Sequence, residues 1–214
     1  MRGAETRPPA STFNPFVSSC CGMKIRIVNL LSMPSPSLLA MSILPATLSD
    51  IPDLLTLVNS AFRGDAARQG WTHEADLLQG EVRTDETSLR ELLEQPGGTI
   101  LKYCSDTDQM EGCVYLQLKA NELYLGMLTV APAQQGGGIG KLLLAAAEAH
   151  ARQSSCAKIR MRVLSTRHEL IAWYERHGYR PTGETEPYAF DHKFGVPTQP
   201  LEFVMLEKMM NDEL

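Results

Sequence analysis

The sequence predicts a mixed α/β domain built on a mostly antiparallel sheet of about six or seven strands, flanked by about four helices. Two observations carry this. The runs "TILKYCS", "GCVYLQLKA" and "ELYLGMLTVAP" are apolar, strand-length and joined by short polar links, the pattern of an antiparallel meander. Directly after them, residues 128–151 read "LTVAPAQQGGGIGKLLLAAAEAHA", a strand, a glycine cluster and a long helical run.

With 214 residues, 43% of them hydrophobic, the chain is long enough for one domain with a real core. The formal net charge of −5 argues against a nucleic-acid partner. No apolar stretch reaches about 18 residues, so no membrane span is expected. The five cysteines show no C-x-x-C or Cys/His spacing, so no metal site is expected. Their odd number points to free thiols in a reducing compartment, hence a cytoplasmic protein. Residues 1–40 are rich in Pro and Ser, carry four basic residues against one acid, and lack periodicity. They read as a disordered or targeting extension, an organelle address among the options, with Met41 an alternative start. The domain is expected over residues 41–210.

Within it, "MSILPAT" reads as a short strand. Asp50 is placed to cap a helix to about Phe62, with Pro52 in its first turn and Leu54, Leu55, Leu57, Val58, Ala61 and Phe62 on its apolar face. A polar stretch follows, with a short helix expected at Glu74–Leu78. Asp85 opens a helix carrying Leu89, Leu92 and Leu93, which "QPGG" stops. After the meander and the glycine cluster, a helix to about Ser155 is expected to bury Ile139, Leu142, Leu143, Ala146 and His150. "KIRMRVLS" alternates Ile159, Met161 and Val163 with basic residues, as a strand does. A capping box from Thr166 to Glu169 is expected to start the next helix, and Gly178 to end it. "YRPTGETEPY" and "LEFVMLEKM" close the chain as a strand pair.

A glycine cluster between a strand and a helix start is an anion site, because the free N–H groups of the first helical turn point at the ligand and the helix dipole adds to them. Gly140-Lys141 matches part of a phosphate-binding P-loop, but Gln135 stands at its first glycine and Leu142 at its hydroxyl position. Gly136 and Gly138 match part of a dinucleotide fingerprint, but Lys141 stands at its third glycine, and the loop follows an antiparallel run.

A third pattern fits throughout. Gln135-Gly136-Gly137-Gly138-Ile139-Gly140 matches Q/R-x-x-G-x-G/A, with "LTVAP" before it and "AWYERHGY" after it. In these features residues 41 to about 207 resemble the GCN5-related N-acetyltransferase (GNAT) superfamily. The resemblance implies acetyl-CoA as co-substrate. It puts the pyrophosphate on the amides of Gln135, Gly136, Gly137, Gly138, Ile139 and Gly140, with Lys141 adding charge. The pantetheine arm would pair with the backbone of Leu128 and Val130 as an added strand does. Mid-strand Gly126 marks the bulge that would splay this strand from the next. Gly137 departs from the family's frequent Lys or Arg, and Arg167 stands where many relatives have Asn, as a charge near the coenzyme.

For acetyl transfer, the resemblance makes Tyr174 the general acid that meets the leaving thiolate, and the N–H of Leu128 the oxyanion donor. Where some relatives carry a basic Glu, this chain has Tyr124. Glu122, two residues earlier, Glu74, His192 and a water chain are the candidate bases. Trp71 and Glu74 in "GWTHEAD" are candidate acceptor contacts; a capped helix start is the alternative for that segment. The expected reaction is acetylation of a primary amine, a small molecule rather than a protein, by a monomer or homodimer. The alternative is a non-catalytic acyl-CoA sensor module.

Overall fold

The computed structural model describes residues 42–210; the extension read over residues 1–40 lies outside them. The chain opens with β1 (Ser42–Pro45), α1 (Ile51–Phe62), a short α2 (Gly64–Ala67), β2 (Leu78–Gln79) and α3 (Glu86–Glu94). The meander follows as β3 (Gly98–Cys104), β4 (Met110–Lys119) and β5 (Glu122–Val130). Then come α4 (Ile139–Gln153), β6 (Lys158–Leu164), α5 (His168–Arg176), β7 (Arg180–Pro187), β8 (Val196–Pro197) and β9 (Glu202–Met209). Seven strands form one sheet in the order β1-β3-β4-β5-β6-β9-β7, and β2 pairs with β8. Only β5 and β6, joined by the α4 crossover, run parallel. The predicted fold class holds.

One apolar layer lies on each face of the sheet. Leu143, Leu144, Ala147 and Ala151 of α4 pack on Leu116, Leu123 and other strand residues. Leu54, Leu57 and Val58 of α1, with Leu89 of α3, cover Ile100, Cys113 and Tyr115 on the opposite face.

β5 carries the feature that shapes the site. Cys113 pairs with Thr129, but Tyr115 pairs with Gly126, so β5 has one residue more than β4 between these points. Met127 takes up the irregularity with φ 49°. An extra residue reverses the side-chain alternation beyond it. Leu123 and Leu125 before the bulge, and Leu128 and Val130 after it, therefore all face α4. Tyr124 and Met127 face α1. β5 also leaves β6 early: pairing covers only Glu122–Tyr124 against Lys158–Arg160, while β6 pairs with β9 along its whole length.

Several local expectations are corrected. Glu74–Leu78 is a single turn in which the Glu74 carbonyl accepts from Leu77 and Leu78, and Leu78 is then taken into β2. The side chain of Asp50 does not cap α1; it accepts from Thr47 N–H at 2.7 Å and Lys102 Nζ at 2.6 Å. No capping box opens α5: Thr166 Oγ1 is buried without a partner, and Arg167 stands at the N-cap position. On α4 the buried positions are Ile139, Leu143, Leu144, Ala147 and Ala151, while Leu142 is 44% exposed. A fully buried leucine contributes about 2 kcal/mol, so the helix turns to bury the i, i+4 row and leaves Leu142 outside.

Candidate active site

The loop between β5 and α4 is open as the glycine cluster predicts. Gly136 and Gly138 have φ of 86° and 93°, the left-handed region that only glycine enters freely. Leu142 donates to Gly138 and Gly137 donates to Gln134. Among the described residues, the N–H groups of Gly136, Gly138, Ile139, Gly140 and Lys141 have no partner. A Cβ on Gly136 or Gly138 would meet nothing within 4 Å, so both face open space.

These groups stand at a cavity of about 690 Å³ on the α4/α5 face. Leu128, Val130 and Ile139 form part of its apolar wall, and Trp173 and Tyr174 of α5 add two aromatic rings 5.0 Å apart, edge to face. Gln135, Gly136, Gly138, Gly140, Lys141 and Trp71 also line it; Gly137 and Arg167 do not. Arg167 is half-buried and donates to the Trp71 carbonyl at 3.4 Å.

Tyr174 is 5% exposed, and among the described residues its hydroxyl has no hydrogen-bond partner. Burial pushes the phenol well above its usual range, Arg167 opposes this, and Tyr124 adds to it. The phenol therefore holds its proton at neutral pH. Among the described residues the thiols offer no rival nucleophile. Cys104, Cys113 and Cys156 are buried, burial raises each of them, and Cys113 is pushed up to about 12. Among the described residues, no cluster of His, Cys, Asp and Glu could hold a metal ion.

A second cavity, of about 770 Å³, lies on the α1/α3 face. Tyr115, Glu122, Tyr124, Gly126 and Met127 line it, with Arg83 at its rim. The bulged strand β5 is thus a wall common to both cavities. Two ion pairs, Arg160–Glu184 at 2.5 Å and Arg162–Glu186 at 3.8 Å, also line the second one. Lys119 lies over the Tyr124 ring at 5.0 Å.

The acceptor and base candidates part company. Trp71 lies in the first cavity, with the glycine loop, and Glu122 in the second. Glu74 lines neither: its carboxylate is 2.6 Å from Arg63 Nη1 and 3.5 Å from Arg83 Nε. Burial alone would raise Glu74, but the Arg83 and Arg63 guanidiniums hold it below its usual range. His192 lines neither cavity and stacks edge-on against Phe190. Sequence reasoning missed Trp173, although it adjoins Tyr174, and the side-chain bonds of Gln135 to residues more than sixty positions away. No local signal announces such bonds.

Solved structures share this architecture. The ribosomal-protein-S18-alanine N-acetyltransferase of Escherichia coli superposes with a TM-score of 0.59 at 14% identity, over 81% of this chain and 97% of its own. The ribosomal-protein-alanine N-acetyltransferase of Brucella melitensis gives 0.59 at 22%, over 79% and 99%. The protein smu.2055 of Streptococcus mutans UA159 gives 0.61 at 18%, over 80% and 100%. At these identities the likeness shows the fold alone. No curated protein matches the sequence significantly. Residues 57–179 match the Acetyltransferase (GNAT) family, and the chain belongs to that family. Among the described residues no helix is long and apolar enough to cross a membrane.

Proposed function

We propose that this acetyltransferase moves the acetyl group of acetyl-CoA to a primary amine of a small acceptor. The observation that carries the reading is the row of unpartnered N–H groups at the mouth of an apolar cavity that runs to the bulge in β5. Pyrophosphate suits those amides, because they and the helix dipole favour a diffuse anion. The pantetheine arm suits the wall of Leu128 and Val130, and Lys141 at the mouth adds a positive charge. We assign the acceptor to the second cavity, so that donor and amine meet across β5.

In this reading the neutral amine attacks the thioester carbonyl and a C–N bond forms. The carbonyl oxygen gains negative charge beside the N–H of Leu128, a residue that the β4–β5 register skips. The C–S bond then breaks, the thiolate takes the proton of the Tyr174 hydroxyl, and the tyrosinate regains one, through water, from the attacking nitrogen. A chain of water molecules leading to the second cavity, where Glu122 lies, carries the ammonium proton away before the attack. Arg167 does not line the cavity, but its charge steadies the tyrosinate that forms. We place the protein in a reducing, cytoplasmic setting on its free cysteines.

Gly138→Val tests the donor site. Valine is strained at a φ of 93°, and its side chain projects into the space in front of the amides. Calorimetry with acetyl-CoA is expected to show no binding by a folded variant. Parental affinity in that variant rules out the anion site.

A further inference from the structure

We propose that Gln135 is a positioning residue: its side chain holds Trp71 in place as a wall of the donor cavity. The inference rests on the reading of that cavity as the coenzyme site. Gln135 turns its amide away from the glycine loop, toward residues 70–72. Its Oε1 accepts from the N–H of Trp71 at 2.8 Å and of Thr72 at 3.3 Å. Its Nε2 donates to Thr72 Oγ1 at 2.8 Å and to the Val130 carbonyl at 3.1 Å. A glutamine amide has two donors and two acceptor lone pairs, so each is used.

The space for this amide is itself built in. A Cβ on Gly70 would lie 2.6 Å from Gln135 Nε2 and Oε1. Gly70 is not among the residues with positive φ, so close approach rather than backbone conformation is what glycine provides there. Trp71 is 42% exposed, too little covered for packing alone to fix it. Its backbone is held instead, by Gln135 at the N–H and by Arg167 at the carbonyl. The next residue, Gly136, contributes one of the open N–H groups. The loop that takes the anion and the tryptophan that walls the cavity therefore move as one piece.

Quenching is read in the full chain carrying Trp173→Phe, which leaves Trp71 as the single indole of the two in the sequence, and CoA affinity in the full chain with Trp173 kept. Gln135→Met keeps the length of the side chain and removes all four bonds. Gly70→Ala evicts the amide without touching the loop. Circular dichroism checks that each is folded. In either variant, acrylamide is expected to quench Trp71 more strongly than in the parent, and CoA affinity to fall about ten-fold. Both changes break the same contact, so the double variant is expected to match either single one. Unchanged quenching in Gln135→Met, or losses that add in the double variant, overturn the proposal. Unchanged CoA affinity with altered quenching removes Trp71 from the coenzyme cavity and overturns it too. If the chain with Trp173 kept binds no CoA, the donor-site reading fails, while quenching of the ligand-free protein still decides what Gln135 does.

Discussion

Tyr174→Phe is expected to lower turnover by about ten-fold to a thousand-fold while the Michaelis constant for acetyl-CoA changes little. The ring fills the same space against Trp173 and Tyr179, so only the hydroxyl is lost. That hydroxyl has no protein partner among the described residues, so its removal breaks no bond that holds the fold. Stability is therefore expected to stay within about 0.5 kcal/mol of the parent. A purely structural tyrosine gives the opposite pattern: a lower melting temperature and normal turnover per folded molecule. The assay needs an acceptor for which chemistry limits the rate, because slow product release hides the effect. Normal turnover in a stable Tyr174→Phe protein under that condition assigns the proton to water.

Glu74→Gln is expected to destabilise the domain by about 3 kcal/mol at neutral pH. The Arg63 side chain is 0% exposed, and its Nε and Nη2 already lack partners. Without the carboxylate its charge is buried and unpaired, and Arg83 loses the same neighbour. For a domain of this size the melting temperature falls by about 10 °C. The sign of the pH dependence follows from the lowered pKa of Glu74. Its contribution is present above the unfolded-state pKa of about 4.3 and is lost as pH falls through the folded value below it. The gap between parent and variant should therefore close on acidification below about pH 4. Thermal unfolding of both proteins between neutral and acid pH measures this. A gap under about 0.5 kcal/mol at neutral pH contradicts the account.

What the sequence makes legible is local. The three meander strands announce themselves by alternation and short links, and the strand-glycine-helix unit by its composition. Both lie where expected, as do α1, the Asp85 cap on Ser88 N–H at 2.8 Å and the left-handed Gly178 after α5. What stays hidden depends on partners distant in sequence. Asp50 reads as a helix cap until Lys102 comes to it from β3. Glu74 reads as a helix-start acid or a substrate contact until Arg63 and Arg83 enclose it. Gly126 marks the bulge, but only the register against β4 shows that one extra residue sets Leu128 and Tyr124 on opposite faces of the sheet. The Leu128–Val130 wall of the first cavity follows from that reversal, and periodicity along one strand cannot reveal it.

The central claim is acetyl transfer across β5, and release of the CoA thiol tests it most directly. The full chain is incubated with acetyl-CoA and a mixed panel of small primary amines, and free thiol is followed against an amine-free blank. The account predicts thiol release that depends on at least one amine, with one acetylated amine formed per thiol. Binding of acetyl-CoA by calorimetry, with no amine raising thiol release above the blank, would contradict it and leave a coenzyme-binding sensor.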